Sequence, residues 1–181
     1  MDKLLENLPL VLAALFGGLV AVAAVYVVFS RLLATEEARQ RAELRLKAFT
    51  TAMPLKLQAY ERLILFLERI HPASLLPRSE PKGKSARLLA DQLKAEIYAE
   101  FEHNVVQQLY VNENSWQRLL MARDTVLALI DTTQKQLPES ATGVDLANGI
   151  FERMKGMEGE FPTTLATNAI RRELQEILDT V

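Results

Sequence analysis

Cysteine is absent from all 181 residues. No disulfide framework, thiolate nucleophile or thiolate metal site can therefore be built from this chain, and the composition agrees with a reducing compartment. Glycine occurs only seven times, and neither Gly-x-x-x-x-Gly-Lys nor Gly-x-Gly-x-x-Gly is found, which removes the familiar phosphate-cradling loops. A Gly-x-Ser-x-Gly elbow is missing as well. No alternation of polar and apolar residues runs long enough to argue for a strand. Nor is there a dense basic patch with interleaved aromatics, so nucleic acid is disfavoured as a partner. No small-molecule substrate or cofactor is indicated, and these absences together favour a non-enzymatic protein.

Charge is the other thing missing, and only locally. Residues Asn7 to Ser30 carry no ionisable group other than Tyr26, between Glu6 on one side and Arg31 on the other. About 20 apolar residues suffice to cross the hydrocarbon core as a helix, so this run predicts a transmembrane segment and a lipid bilayer as partner. A cleaved signal peptide is the competing reading, with Ala21-Val22-Ala23 as its cleavage site. The preceding end is acidic rather than basic, and the apolar run continues past Ala23, so a retained signal-anchor is preferred. Lys3 alone precedes the run, whereas Arg31, Arg39, Arg41, Arg45 and Lys47 follow it. The positive-inside rule then places the N-terminus outside and the body in the cytoplasm. Ala13, Gly17, Ala21 and Ala24 recur at spacings of four, four and three, a small-residue face that admits a second helix at close range. A homo-oligomer or another membrane protein is the partner this face implies.

Beyond the anchor, polarity divides the chain. Arg31 to Ala90 holds 12 Lys/Arg against 6 Asp/Glu, and Asp91 to Val181 holds 8 against 15. The basic half either is drawn to an anionic leaflet or extends the positive-inside bias along a solvated helix. The expected fold is all-α: an N-terminal transmembrane helix continuing into a cytoplasmic bundle of about four or five helices. Four segments are expected. Residues 1–34 form the tail and anchor, and 35–71 a juxtamembrane amphipathic helix kinked or split near Pro54. Residues 72–84 form a Pro-rich loop, and 85–181 the bundle.

In the juxtamembrane helix, Leu46, Phe49, Met53, Leu57, Tyr60, Ile64 and Leu67 make an apolar stripe, widened by Leu63, Phe66 and Ile70. Ser85 is the expected cap of a helix whose ridge Leu89, Leu93, Ile97, Phe101, Val105 and Leu109 ends near Val111. Asn112 or Asn114 caps a helix to about Leu137 with Trp116, Leu119, Leu120, Val126, Leu127 and Ile130 inward. Asp145 is the expected cap of a shorter helix bearing Leu146, Ile150, Phe151, Met154 and Met157. Thr163 or Thr164 starts the last one, which carries Leu165, Ile170, Leu174, Ile177 and Leu178.

The chain's two histidines both stand in Glu-x-x-His triplets, Glu68–His71 and Glu100–His103. Two such motifs with two further glutamates build di-iron sites in helix bundles, and Glu61 and Glu96 are the available extra ligands. Against this, His71 ends its helix before Pro72. His103 lies about 18 residues into the next, roughly 27 Å along the axis. His71 reads better as a C-terminal residue facing the helix dipole, and His103 as a surface or half-buried position. A metal-dependent enzyme or sensor using these four residues is thus the alternative to a membrane-tethered scaffold or accessory subunit. Tyr98, Phe101, Tyr110 and Trp116 form an aromatic group, either a partner's hot spot or the core of a helix hairpin.

The stretches Leu57–Ile70, Glu100–Asn104 with Gln107–Val111, and Ala141–Asp145 resemble those of an uncharacterised Bacteroidota family. Its members have one N-terminal membrane helix and a helical cytoplasmic body. The resemblance implies a bacterial inner-membrane address, and it brings no activity and no functional residues.

Overall fold

The computed structural model describes the backbone of residues 8–179. The side chains of residues 8–11, 13–15, 21, 24, 34 and 38 lie outside that description. Six α-helices run through the described residues: α1 (Leu8–Ile70), α2 (Pro72–Arg78), α3 (Ala86–Asn104), α4 (Glu113–Gln136), α5 (Gly143–Lys155) and α6 (Pro162–Asp179). The protein is all-α, as its 3.6-residue periodicity requires. The chain divides into two compact units, Met1–Ala52 and Met53–Val181.

In the first unit, α1 carries the uncharged run from Leu8 to Ser30. Its helix continues unbroken through Pro54, where a kink or a split was expected. The i,i+4 pairs Glu37–Arg41 and Glu43–Lys47 form at 3.3 and 2.8 Å. Both are solvent-exposed, so they contribute only tenths of a kcal/mol each. Leu46 is exposed, as is Leu57 just inside the second unit, so the apolar stripe becomes buried only from Ala59 onward.

In the second unit, Tyr60, Leu63, Phe66, Leu67 and Ile70 of α1 enter a single core. It also takes Leu89, Leu93 and Ile97 of α3, Trp116, Leu119, Val126 and Ile130 of α4, Leu146 and Ile150 of α5, and Ala166 and Ile170 of α6. Most members of each set are three, four or seven residues apart, which is why each helix buries one face. Helix α4 packs on α6 and α3, and α5 on α3. Of the apolar residues these helices carry, Leu109, Met157, Leu165 and Leu178 are exposed.

Helix ends follow local chemistry. Ser85 Oγ accepts the Leu88 N–H and Asn112 Oδ1 the Ser115 N–H, capping α3 and α4. Helix α3 stops at Asn104, short of Val111, and a 3₁₀ turn follows over Val105–Leu109. The Asn104 side-chain Nδ2 there donates to the Glu100 carbonyl, a local bond that competes with continuing the α-helix. Thr142, rather than Asp145, caps α5. Asp145 is the third residue of a capping box, accepting from the Thr142 N–H and hydroxyl at 2.8 and 2.7 Å.

The Pro-rich stretch 72–84 is not a loop throughout, since its first half is α2. Pro72 sits at the first helical position, where a missing N–H costs nothing. The rest is a turn with Glu80 at φ 48° and Gly83 at φ 77°. This turn meets the loop before α5. Gly143 N–H donates to the Lys84 carbonyl at 2.8 Å and Ala86 N–H to the Ala141 carbonyl at 2.9 Å, pairing Ser85 with Thr142 antiparallel. A Cβ on Gly143 would lie 2.5 Å from the Pro81 carbonyl oxygen, so only glycine allows this approach.

Candidate functional site

The two Glu-x-x-His triplets do not meet. Because a residue before proline is pushed to extended backbone, His71 leaves the helix at φ −59°, ψ 131°. It therefore lies just beyond the end of α1, with Glu68 bordering the same cavity. It is instead the N-cap of α2, its Nδ1 accepting the Ala73 N–H at 3.2 Å, with the ring edge-on to Phe161 at 5.2 Å. Burial lowers its pKa below the usual histidine value, and the Glu68 carboxylate partly opposes this.

His103 is exposed on α3. Its Nδ1 lies 2.6 Å from the Ala99 carbonyl oxygen, which can only accept, so Nδ1 carries the proton. Glu100 accepts from Arg69 at 2.5 Å. Glu96 accepts from Ser79 Oγ at 3.2 Å and Gln92 Nε2 at 2.9 Å, and Glu61 is solvent-exposed on α1. Among the described residues, no three His, Asp or Glu side chains converge as metal ligands would. The di-iron arrangement that sequence spacing allowed is thus not assembled.

The triplets line different cavities. Glu68 and His71 border one of about 320 Å³ with Thr163, Thr167, Asn168 and Arg171. Glu100 and His103 border one of about 690 Å³ between α1, α2 and α3. Arg62, Arg69 and Arg78 surround the larger cavity, and Leu65, Phe66 and Ala99 line its apolar side. Arg62 and Arg78 were missed by sequence reasoning. The signal available was the seven-residue spacing of Arg62 and Arg69, two turns apart on one face.

Behind that cavity the aromatic group resolves into core packing. Phe66 meets Phe101 at 6.0 Å between centroids, and Phe101 stacks on Trp116 at 5.9 Å. The Arg123 guanidinium covers Phe101 at 4.3 Å, a cation–π contact. Tyr98 alone of the four stays largely exposed.

A buried polar node also went unforeseen. Glu173 of α6, 8% exposed, faces the core. Its Oε1 accepts from Tyr60 Oη at 2.7 Å and from the Asn112 N–H at 2.8 Å, while its buried Oε2 has no hydrogen-bond donor. Burial first, and then the bond to Glu173 and its negative charge, push the Tyr60 phenol well above its usual pKa. The node ties α1 and α6 to the turn before α4. Its sequence signal was an acidic residue beside Leu174 on the apolar face of α6.

Of the small-residue face, Gly17 is described and stands in open space. The side chains of Ala13, Ala21 and Ala24 lie outside the described residues.

A family model described as a family of unknown function matches residues 4–177. No curated protein and no solved structure matches the chain.

Proposed function

We propose that this chain, which belongs to the family of unknown function DUF7935, is a membrane-tethered, non-enzymatic scaffold or accessory subunit. One observation carries the reading. Phe16, Leu19, Val22, Val25, Tyr26 and Phe29 are each at least 60% exposed along a helix stretch without a single charged residue. At about 25 cal/mol per Å², leaving such a surface in water is unfavourable, and a bilayer removes it. The Lys/Arg excess after the run supports an N-terminus outside and a cytoplasmic body. The Bacteroidota affiliation and the bacterial inner-membrane address belong to the same proposal. The expected partner is a second copy of the chain or another membrane protein, reached through helix–helix contacts.

Because the chain has no native cysteine, single cysteines at Asp2 and Asp179 test the topology directly. An impermeant maleimide should label the first in intact cells and the second only after permeabilisation, with the protein resisting alkaline carbonate extraction. Carbonate release, or labelling in the opposite order, overturns the reading. Crosslinking in intact membranes should capture one constant partner, and a chain that crosslinks to nothing is no scaffold. Replacing Gly17 with Ile should weaken a dimer formed through the small-residue face.

A further inference from the structure

We propose that the cavity between α1, α2 and α3 is a binding site for a small organic anion, a phosphate monoester or carboxylate carried on an apolar group. The inference does not rest on the membrane reading, since every residue involved lies within the second compact unit.

The charges facing the cavity are three guanidinium groups, two carboxylates and one imidazole: Arg62, Arg69, Arg78, Glu96, Glu100 and His103. Both carboxylates are already engaged. Glu100 neutralises Arg69, whereas Glu96 is hydrogen-bonded by Ser79 and Gln92, neutral donors that leave it in the charge balance, so three guanidinium groups face two carboxylates. Among the described residues, no carboxylate forms an ion pair with Arg62 or Arg78. Arg78 is nonetheless positioned, because its Nη2 donates to the Arg69 carbonyl at 3.3 Å where α1 ends. Two guanidinium forks without an ion-pair partner thus border one cavity of about 690 Å³, within the size range of small-ligand sites.

Guanidinium recognises phosphate and carboxylate through paired N–H donors. The excess of guanidinium over carboxylate on the lining disfavours a divalent cation, so this site takes a ligand opposite in charge to the one the Glu/His spacing suggested. Leu65, Phe66 and Ala99 give the cavity an apolar wall. That wall distinguishes an anion with an apolar substituent from a bare inorganic one.

Calorimetric titration of the full chain in detergent micelles at low ionic strength tests the proposal, using phenyl phosphate, phenylacetate and inorganic phosphate as probes. Saturable binding is expected for phenyl phosphate or phenylacetate, and more weakly for inorganic phosphate. Arg62→Gln and Arg78→Gln should each weaken binding roughly tenfold or more, the usual effect of losing one charge-assisted hydrogen bond. Arg171→Gln, on the smaller cavity, should leave it unchanged. Should Arg78→Gln fail to fold, the exposed Arg62 carries the test alone. No saturable binding of any probe, or affinity indifferent to Arg62→Gln, overturns the site. Equal affinity for inorganic phosphate overturns the role of the apolar wall.

Discussion

Replacing Tyr60 with phenylalanine removes one oxygen from the buried node and leaves the ring in place. Tyr60 is 1% exposed and Glu173 8%, so little solvent stands ready to replace the lost bond. A hydrogen bond to a charged group contributes about 1.5–3 kcal/mol net. The upper part of that range applies here, because Glu173 keeps only the Asn112 N–H and its Oε2 already lacks a donor. Urea unfolding of the full chain in mild detergent, followed by the fluorescence of the chain's single tryptophan, should show this loss at unchanged m-value. In a Glu173→Gln background the acceptor is neutral, so the same substitution should cost about 0.5–1.5 kcal/mol.

The alkaline limb provides a second measure. The folded phenol holds its proton more tightly than an unfolded one, whose ordinary value is 10.0. Its contribution is fully present below that pH and is lost as pH rises above it. Tyr60→Phe should therefore flatten the fall in stability above pH 10.0. A Tyr60→Phe protein within about 0.5 kcal/mol of the parent, with the same alkaline limb, would refute the reasoning; that margin is the usual scatter of neutral substitutions.

His71→Asn preserves an N-cap acceptor and removes the titrating ring. Since burial depresses the His71 pKa, the native protein should lose stability as pH falls below the ordinary value of 6.5, and the variant should lose less of it in a pH series of thermal melts. Thr142→Ala removes the α5 cap and should cost about 1 kcal/mol in denaturant titrations, with Thr142→Ser close to neutral. Gly143→Ala forces a methyl against the Pro81 carbonyl and should cost about 1–3 kcal/mol. An alanine variant as stable as the parent would show that the loop yields freely.

Much of the fold was legible because its determinants are local. Ser85 and Asn112 announce their helices, and ridges such as Leu89–Leu93–Ile97 announce the buried faces. The α5 cap was legible too, because Thr142 and Asp145 have capping-box spacing, but the more acidic residue drew the assignment. Helix α2 was obscured because Pro72 and Pro77 read as breakers, although Pro72 stands at the first helical position, which suits proline. The candidate sites were less legible for a different reason. Spacing places Glu100 and His103 on one face of α3 and cannot say that Arg62, Arg69 and Arg78 stand opposite. Likewise, nothing local pairs Tyr60 with Glu173. Both are consequences of how helices distant in sequence dock.

The pairing of Ser85 with Thr142 joins the starts of α3 and α5. The Ala86 and Gly143 amides are bonded to each other's loop carbonyls, so neither is protected unless both strands of that bridge are in place. In hydrogen-exchange terms they should open as one event with a common protection factor, although a whole helical hairpin separates them along the chain. Detaching α5 from the bundle therefore also frays the first turn of α3, the helix that carries Glu96, Glu100 and His103 to the arginine-lined cavity.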